Sequence, residues 1–408
     1  MDASMKNCVL ERFDEHGEPV HSCMYNDLWT NAPKESNIEF PGYTFEDHYG
    51  KSVPSYISVP VVKDYLEGRW SRDYNLRQFV QFDTPVRYVS YNDSTDTFLV
   101  TYENLISKKV INETFSHVIV CSGAFTYPFT PYIPGLDTFQ GSVLHSRDLR
   151  HCHMFKDKAV LIIGSGFSAE DIAIQCLKFG ASQIIVSCRT KSFISNWPIG
   201  IEERPVVKRF HAKEAVFTDN TQAEIDDVIL CTGFRNYYRF LDPCLRIDET
   251  PVIYSKELYM SALLISAGNN KLFYVGAQKT LYTMTYFDVV ANWVCRYIMG
   301  TLEDEPKSEE DMIKHSKEWW VRASTVHSLK EIIDFQTKVL KYMIDVTGYR
   351  QESLQVYDIL LDWMKHREQG IDKYRDNSFR SISTGNMAPM QTAFMDISDD
   401  SLKTFLKN

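Results

Sequence analysis

The chain has 408 residues, of which 44% are hydrophobic and 24% are charged, and its formal net charge is −10. These values are typical of a globular protein with room for two domains. The acidic balance argues against nucleic acid as a partner, because phosphate binding needs clustered Lys and Arg side chains. No apolar run approaches the about 20 residues that a membrane helix needs, so we expect no membrane span.

Cysteine and histidine are dispersed along the sequence. The nine cysteines include no CxxC pair, and the eleven histidines form no HExxH motif. This scatter indicates reduced thiols in the cytosol rather than a disulfide framework or a zinc site. We therefore expect a cytoplasmic protein without a resident metal.

The first third of the chain combines one distinctive segment with a helix and several strands. The segment is MYNDLWTNAPKE at residues 24–35, in which Asn31 before Pro33 is by itself typical of an Asx turn. Residues 61–70 have helical spacing, and residues 80–82, 86–90, 97–102 and 110–115 predict the strands of a meander. Residues 117–121 predict a buried strand, after which a Pro-rich crossing marks a domain boundary.

The middle of the chain predicts a βαβ unit over residues 158–191, KAVLIIGSGFSAEDIAIQCLKFGASQIIVSCRTK. The apolar run at 159–163 predicts a parallel strand that is buried on both faces. Apolar residues at helical spacing follow, with Gly180 where a helix should end. Residues 183–187 predict the second strand.

The turn between the first strand and the helix carries a dinucleotide-binding pattern, GxGxxG/A. Its residues are Gly164, Ser165, Gly166, Phe167, Ser168 and Ala169. The first Gly makes the turn, the second lets a pyrophosphate approach, and the small last residue lets the helix lie close to the strand. The helix N-terminus then attracts the phosphates. A turn that needs glycine only in order to fold is the alternative, but the flanking elements favour a nucleotide site.

The residues after the second strand indicate which nucleotide is bound. A site that prefers NAD usually carries Asp or Glu there, for the ribose hydroxyl groups. This chain has Arg189 and Thr190 instead, and a guanidinium beside a hydroxyl suits a 2′-phosphate. We predict NADP rather than NAD, with a solvated surface charge as the alternative for Arg189.

The last part of the chain predicts a strand at residues 272–276 and then helices. Residues 306–311 open a helix with a capping residue and an acidic first turn, and helical spacing continues to Met343. Tyr282 opens an aromatic stretch that either lines a substrate pocket or packs the core.

Several segments resemble the flavin-containing monooxygenases, and above all their trimethylamine monooxygenase type. The resemblance rests on residues 24–35, on FQGSVLHSRDL at 139–149, on ILCTGF at 229–234, on GAQ at 276–278, and on LDWMKH, YRDNSFRS and TGNMAP between 361 and 389. Leu149 replaces the final aromatic of one family signature, and Ser122-Gly123-Ala124 replaces a T-G-H. We expect the His145 ring to form a hydrogen bond with the backbone rather than to act as a catalytic base.

The resemblance implies an α/β fold with two Rossmann-like dinucleotide-binding domains. An NADP domain at residues 128–236 would be inserted into an incomplete FAD domain formed by residues 1–127 and 237–408. It further implies an NADPH-dependent flavin monooxygenase that uses FAD, NADP and molecular oxygen. Its substrate would be the nitrogen or sulfur of a small soft nucleophile such as trimethylamine, and its assembly a homodimer.

The resemblance also assigns roles to individual residues. Asn31 takes the place of the Asn amide that hydrogen-bonds the oxygenated flavin, with Trp29 beside it. Gln278 would touch the flavin, and Arg375 would reach the NADP phosphates. Trp363 would reach the substrate channel of a partner subunit. Tyr282 is a candidate substrate contact from its place in the aromatic stretch alone, and packing in the core is the favoured alternative. Without the resemblance, we would interpret Trp363 as a packing residue and Arg375 as a surface charge.

One family feature is missing from the sequence. No GxGxxG precedes Gly164, and neither an acidic ribose ligand nor a Gly-Gly-x-Trp turn is present. The corresponding strand would form the middle of the FAD sheet. We therefore expect either an incomplete chain, which we favour, or a protein that cannot hold FAD in the family manner. The alternative functions are an NADP-binding remnant without catalysis and a Baeyer–Villiger oxygenase.

Overall fold

A computed structural model of the chain describes residues 29–40, 42–72, 75–189, 197–265, 268–303, 308–350, 354–390 and 393–407. The first part of this range forms short helices and an antiparallel meander. Its elements are α1 (Lys34–Asn37), α2 (Phe45–Tyr49), α3 (Val59–Ser71), β1 (Val86–Asn92), β2 (Thr97–Asn104), β3 (Lys109–Phe115), β4 (Val118–Val120) and β5 (Tyr127–Pro128). Strands β1, β2 and β3 pair antiparallel in that order, as predicted.

The strand predicted at residues 80–82 is wrong. A 3-10 turn occupies Leu76–Phe79, and residues 80–82 continue without a strand partner. Phe79 and Phe82 are 76% and 53% exposed. A short apolar run therefore gave no strand here, because no neighbouring strand buries it.

The middle part contains a five-stranded parallel sheet. Two small antiparallel sheets lie in the same part of the chain. The elements of this middle part are β6 (Ser142–His145), β7 (Ala159–Ile163), α4 (Phe167–Lys178), β8 (Gln183–Ser187), β9 (Ile201–Arg204), β10 (Val207–His211), β11 (Glu214–Phe217), β12 (Gln222–Glu224), β13 (Asp227–Leu230) and β14 (Phe234–Arg235). The parallel sheet has the order β6-β13-β7-β8-β9. The predicted bounds of β7 and β8 are confirmed, and the apolar run of β7 lies in the sheet interior between β13 and β8.

The last part is mainly helical. It contains β15 (Leu258–Tyr259), β16 (Leu263–Leu264), β17 (Leu272–Tyr274), α5 (Thr283–Ile298), α6 (Glu309–Ser324), α7 (Leu329–Thr347), α8 (Val356–Gln369) and α9 (Leu402–Lys407). The helical pattern up to Met343 divides into α6 and α7, because Ser328 caps a new helix with a capping box to Glu331. Strand β17 pairs parallel with β4, so one sheet takes strands from both sides of the middle part.

The largest apolar cluster joins the middle part to the helices. Residues of β7, β8 and α4 pack in it together with residues of α5, α6, α7 and α8. None of the helices in the described ranges has the length and apolar character needed to cross a bilayer.

Two buried ion pairs fasten α4 to the C-terminal arm, a name we use for residues 356–407. Arg367 on α8 pairs with Glu170, and Arg375 pairs with Asp171 at 2.5 Å. All four side chains are buried. Removing one partner of such a pair leaves an uncompensated charge in a medium that solvates it poorly.

We therefore expect the Asp171→Ala variant to lose about 3–5 kcal/mol of its free energy of unfolding, since Arg375 would remain buried without its carboxylate. Urea unfolding followed by circular dichroism measures this loss. Asp362→Ala is the matched control, because Asp362 belongs to an exposed pair with Lys365 on the same arm and should change stability by less than about 1 kcal/mol. Equal losses in the two variants would contradict the assignment.

Candidate functional site

The glycine turn between β7 and α4 contains two glycines, and packing requires only the first of them. Gly164 has φ +135°, and a Cβ placed there would lie 2.2 Å from the carbonyl oxygen of Cys231. The structure therefore requires glycine at this position for packing alone. A Cβ on Gly166 would instead meet open space, so nothing within the described protein demands a glycine there.

The first turn of α4 is suited to an anion. Gly166 is the N-cap residue and provides no side-chain hydrogen bond to the first turn. Gly166 is exposed, and Ser165, Phe167 and Ser168 are partly exposed. A helix N-terminus with an uncrowded glycine approach favours the negative charge of a phosphate group. The turn thus fits the pyrophosphate of a dinucleotide.

Arg189 lies at the same edge of the parallel sheet as the glycine turn. Strand β8 is the neighbour of β7, with Ser187 opposite Ile163 at their carboxyl ends. Arg189 follows two residues later and is exposed. Thr190, the other predicted contact, lies outside the described residues. An exposed guanidinium beside the phosphate cradle fits the 2′-phosphate of NADP.

The segment that carries Trp29 and Asn31 is held from both sides. The Thr30 N–H donates to the Ile57 carbonyl at 2.9 Å. The Trp363 indole N–H donates to the Asn31 carbonyl at 2.7 Å. These bonds fix the backbone of the segment and leave the half-buried Asn31 side chain outside the backbone pairing.

Helix α4 also approaches this segment. The Lys178 ammonium lies 5.6 Å from the ring centroid of Trp29 and 4.9 Å from that of Phe394. The indole N–H of Trp29 is buried and has no hydrogen-bond partner among the described residues. Helix α4, the Trp29 segment and the C-terminal arm therefore meet at one place.

The structure puts three of the predicted site residues in the interior, which differs from the roles that the resemblance implies for Arg375 and Trp363 and agrees with the core alternative for Tyr282. Arg375 is 1% exposed and pairs with Asp171, while its Nε donates to the Thr30 carbonyl at 3.1 Å. Trp363 is 1% exposed within its own chain, and Tyr282 is completely buried. In this arrangement Arg375 and Trp363 hold the Trp29 segment, and Tyr282 packs in the core.

Gln278 follows β17 and has the properties of a ligand contact. It is 5% exposed, and neither its amide oxygen nor its amide nitrogen has a hydrogen-bond partner in the part of the chain that the structure describes. It lines a cavity of about 220 Å³ with Asn236, whose amide oxygen is also buried and unpartnered. A flavin ring edge presents both donors and acceptors, so Gln278 fits the predicted flavin contact. The sequence contains no second glycine turn of the GSGFSA kind for the FAD pyrophosphate.

His145 agrees with its expected structural role. Its Nε2 lies 3.1 Å from the Gly233 carbonyl, and its Nδ1 accepts the N–H of Arg147. Burial lowers the pKa of His145 to about 4. The ring is therefore neutral at pH 7 and is already bonded at both nitrogens.

The acidic residues that anchor the arm were not predicted from the sequence. Glu170 and Asp171 lie next to the nucleotide turn, but their arginine partners are 197 and 204 residues away. Two adjacent acids in the first turns of a helix are ordinary dipole partners, so no local pattern could reveal this pairing. Within the described ranges, no group of three or more His, Cys, Asp or Glu side chains is arranged to hold a metal ion.

Comparisons with known proteins agree with this geometry. The profile of flavin-binding monooxygenase-like proteins matches residues 3–201 and 197–365. Trimethylamine monooxygenase from Roseovarius nubinhibens is 36% identical over 397 residues, which cover 97% of this chain and 88% of that protein. The enzyme of the same name from Methylocella silvestris is 38% identical over 396 residues, with 96% and 86% covered. The crystal structure of Tmm from Pelagibacter sp. strain HTCC7211 matches with a TM-score of 0.91 at 33% identity, covering 97% of this chain and 88% of that one.

The fold and the nucleotide turn thus define a flavin- and NADPH-dependent oxidoreductase. The chain belongs to the flavin-binding monooxygenase-like family. The predictions of an α/β Rossmann-like fold, of FAD and NADP as cofactors and of a flavin-containing monooxygenase are confirmed. Cyclohexanone monooxygenase, at 14% identity and a TM-score of 0.57, shares the fold alone. Neither the Baeyer–Villiger alternative nor the non-catalytic remnant is favoured.

The two glycines of the turn provide a matched pair of variants. Gly164→Ala should lower the melting temperature strongly, because its Cβ collides with a backbone carbonyl at a strained φ. Gly166→Ala should fold with a change of less than about 1 kcal/mol, yet weaken NADP binding about tenfold or more, since the Cβ occupies the approach of the pyrophosphate.

Thermal unfolding and titration with NADP measure the two effects separately. If Gly166→Ala binds NADP as tightly as the unsubstituted chain, the nucleotide does not lie against this turn.

Proposed function

We propose that this protein is an amine N-oxygenase that converts small tertiary amines such as trimethylamine to their N-oxides. The observation that carries the proposal is the similarity to trimethylamine monooxygenases over nearly the whole chain, at 34–38% identity. The Tmm structure supports it with a TM-score of 0.91.

The nucleotide turn has the first role in this proposal. Residues Gly164 to Ala169 hold the NADP pyrophosphate at the start of α4, and Arg189 with Thr190 binds the 2′-phosphate. Because a guanidinium donates paired hydrogen bonds to a phosphate group, this contact discriminates NADP from NAD.

The Trp29 segment and Gln278 have the second role. Asn31 directs its amide toward the reacting edge of the flavin, with Trp29 beside it. Gln278, which follows β17, forms hydrogen bonds with the flavin ring. When bound, NADPH supplies the hydride and FAD supplies the oxygen-transfer chemistry. Arg375 and Trp363 fasten the segment, so that the amide of Asn31 is oriented before substrate arrives.

Three further features belong to the proposal. The NADP domain spans residues 128–236 and is inserted between the two parts of the FAD domain, residues 1–127 and 237–408. The enzyme is a homodimer, and it works in the cytoplasm. Size-exclusion chromatography with light scattering tests the dimer.

The proposed reaction is tested with the purified protein supplied with FAD. It should be yellow, its flavin absorbance should fall on addition of NADPH, and trimethylamine N-oxide should accumulate in proportion to the NADPH consumed. Mass spectrometry quantifies the N-oxide. A yellow protein that oxidises NADPH without forming an N-oxide from any tertiary amine would contradict the proposal.

The cofactor preference is tested by Arg189→Ala. Loss of a charge-assisted hydrogen bond, about 1.5–3 kcal/mol, should reduce the ratio of NADP to NAD affinity about tenfold or more, with NAD affinity nearly constant. Arg209→Ala is the control, because Arg209 is exposed on β10 of a separate antiparallel sheet. An unchanged affinity ratio in Arg189→Ala would refute the assignment of this residue.

A further inference from the structure

Helix α4 meets the C-terminal arm through two neighbouring acidic side chains, Glu170 and Asp171. Their exposed fractions are 0% and 7%. Glu170 accepts a hydrogen bond from Arg367, and Asp171 accepts one from Arg375. A buried carboxylate and guanidinium keep one geometry, because either charge without its partner is poorly solvated. The positions of the two guanidinium groups are therefore tied to α4.

Arg375 makes a second contact, which reaches the Trp29 segment. Its Nη2 donates to Asp171 at 2.5 Å, and its Nε donates to the Thr30 carbonyl at 3.1 Å. Because a guanidinium is planar and rigid, the two donor directions have a constant relation to each other. The position of the Asp171 carboxylate thus determines where the Thr30 carbonyl is held.

Arg367 reaches the same segment through Trp363. Its guanidinium carbon lies 5.0 Å from the ring centroid of Trp363, within the about 6 Å over which an aromatic face attracts a cation. The Trp363 indole N–H donates to the Asn31 carbonyl at 2.7 Å. Trp363 is 1% exposed, so close packing holds its ring in one orientation. Glu170 is therefore connected to the Asn31 carbonyl.

The two connections fix the backbone on both sides of Asn31. The Thr30 carbonyl belongs to the peptide plane that precedes the Asn31 Cα, and the Asn31 carbonyl belongs to the plane that follows it. Because each peptide is planar, the orientations of the two planes define φ and ψ of the residue between them. The direction of the Cα–Cβ bond of Asn31 follows from these angles.

We propose that Glu170 and Asp171 are positioning residues for Asn31, so that helix α4 orients the Asn31 side chain through the C-terminal arm. The assignment rests on the proposed function, in which Asn31 contacts the flavin. Neither acid touches the flavin or the amine; each acts through an arginine. Orientation of this kind matters for rate, because a displacement of about 1 Å at a reacting centre costs about a hundredfold.

Kinetics of Asp171→Asn test the assignment. This substitution keeps the shape of the side chain and removes its charge. In the enzyme supplied with FAD it should lower kcat for N-oxide formation about tenfold or more. KM for trimethylamine should change less than about twofold, because the loss concerns orientation at the flavin and not amine binding. Glu170→Gln should show the same division between kcat and KM.

Asp227→Asn is the matched control. Asp227 is also a buried aspartate, 2% exposed, and pairs with Lys158 at 2.9 Å, but it lies at the start of β13. Its substitution should lower the melting temperature and leave kcat within about twofold. If Asp227→Asn lowers kcat as much as Asp171→Asn does, the effect reflects stability alone and the assignment is wrong.

A double-mutant cycle with Asn31→Ala shows whether Asp171 acts through Asn31. In the Asn31→Ala background there is no amide left to orient, so Asp171→Asn should lower kcat by less than about a further twofold. A further tenfold loss in the double variant would mean that Asp171 acts by another route, which would overturn the assignment.

Hydrogen exchange tests the same connections without turnover. Trp363→Phe keeps a ring against Arg367 and removes only the indole N–H. Exchange of the amides in residues 29–35, followed by mass spectrometry, should become about fivefold faster, as expected for one lost hydrogen bond. Trp319→Phe is the control, because it removes an indole N–H that donates to His315 on α6, and it should leave this exchange unchanged.

The exchange of residues 29–35 should also become faster in Asp171→Asn and stay constant in Asp227→Asn. If the enzyme forms N-oxide but neither Asp171→Asn nor Trp363→Phe alters this exchange, the positioning assignment is wrong while the proposed function stands. If both variants accelerate the exchange and the unsubstituted enzyme forms no N-oxide, the connection from α4 to Asn31 is supported and the proposed function is wrong.

Discussion

The pairing of Arg367 with Glu170 and of Arg375 with Asp171 is the constraint on which the candidate site depends. Burial disfavours the charge on the Arg375 guanidinium, but the Asp171 carboxylate and Tyr374 keep the pKa of Arg375 above its ordinary value. The arginines also stack on rings, with Arg375 4.6 Å from the Phe394 centroid and Arg367 5.0 Å from that of Trp363. Such pairs are weak sources of net stability but strongly specify which surfaces meet.

This pairing connects helix α4 to the Trp29 segment. Glu170 and Asp171 lie in α4, the helix that begins at the glycine turn, and Arg375 and Trp363 hold the backbone of the Trp29 segment. A shift of α4 would therefore move the arginines and, through them, the segment that carries Asn31. The same arm continues to α9. One structural element thus contacts both α4 and the Trp29 segment.

The sequence predicted the parts that local physics controls. The bounds of β7 and β8 follow from apolar runs that only a buried parallel strand accommodates. The turn at Gly164 follows from the need for a positive φ and a close approach to Cys231. Residues 80–82 have a similar apolar pattern but no partner strand, so periodicity alone was insufficient there. The buried positions of Arg375 and Trp363 could not be predicted from the sequence either, because their partners lie in remote segments.

The sequence by itself determined the class of fold, the nucleotide turn and the family, because each rests on residues within a few positions of one another. Only the tertiary structure decided that the C-terminal arm folds back onto α4 and that Arg375 binds a carboxylate instead of a phosphate. These features come from ion pairs and ring contacts between segments far apart in sequence. Such contacts form only when the whole chain packs, so no local sequence pattern predicts them.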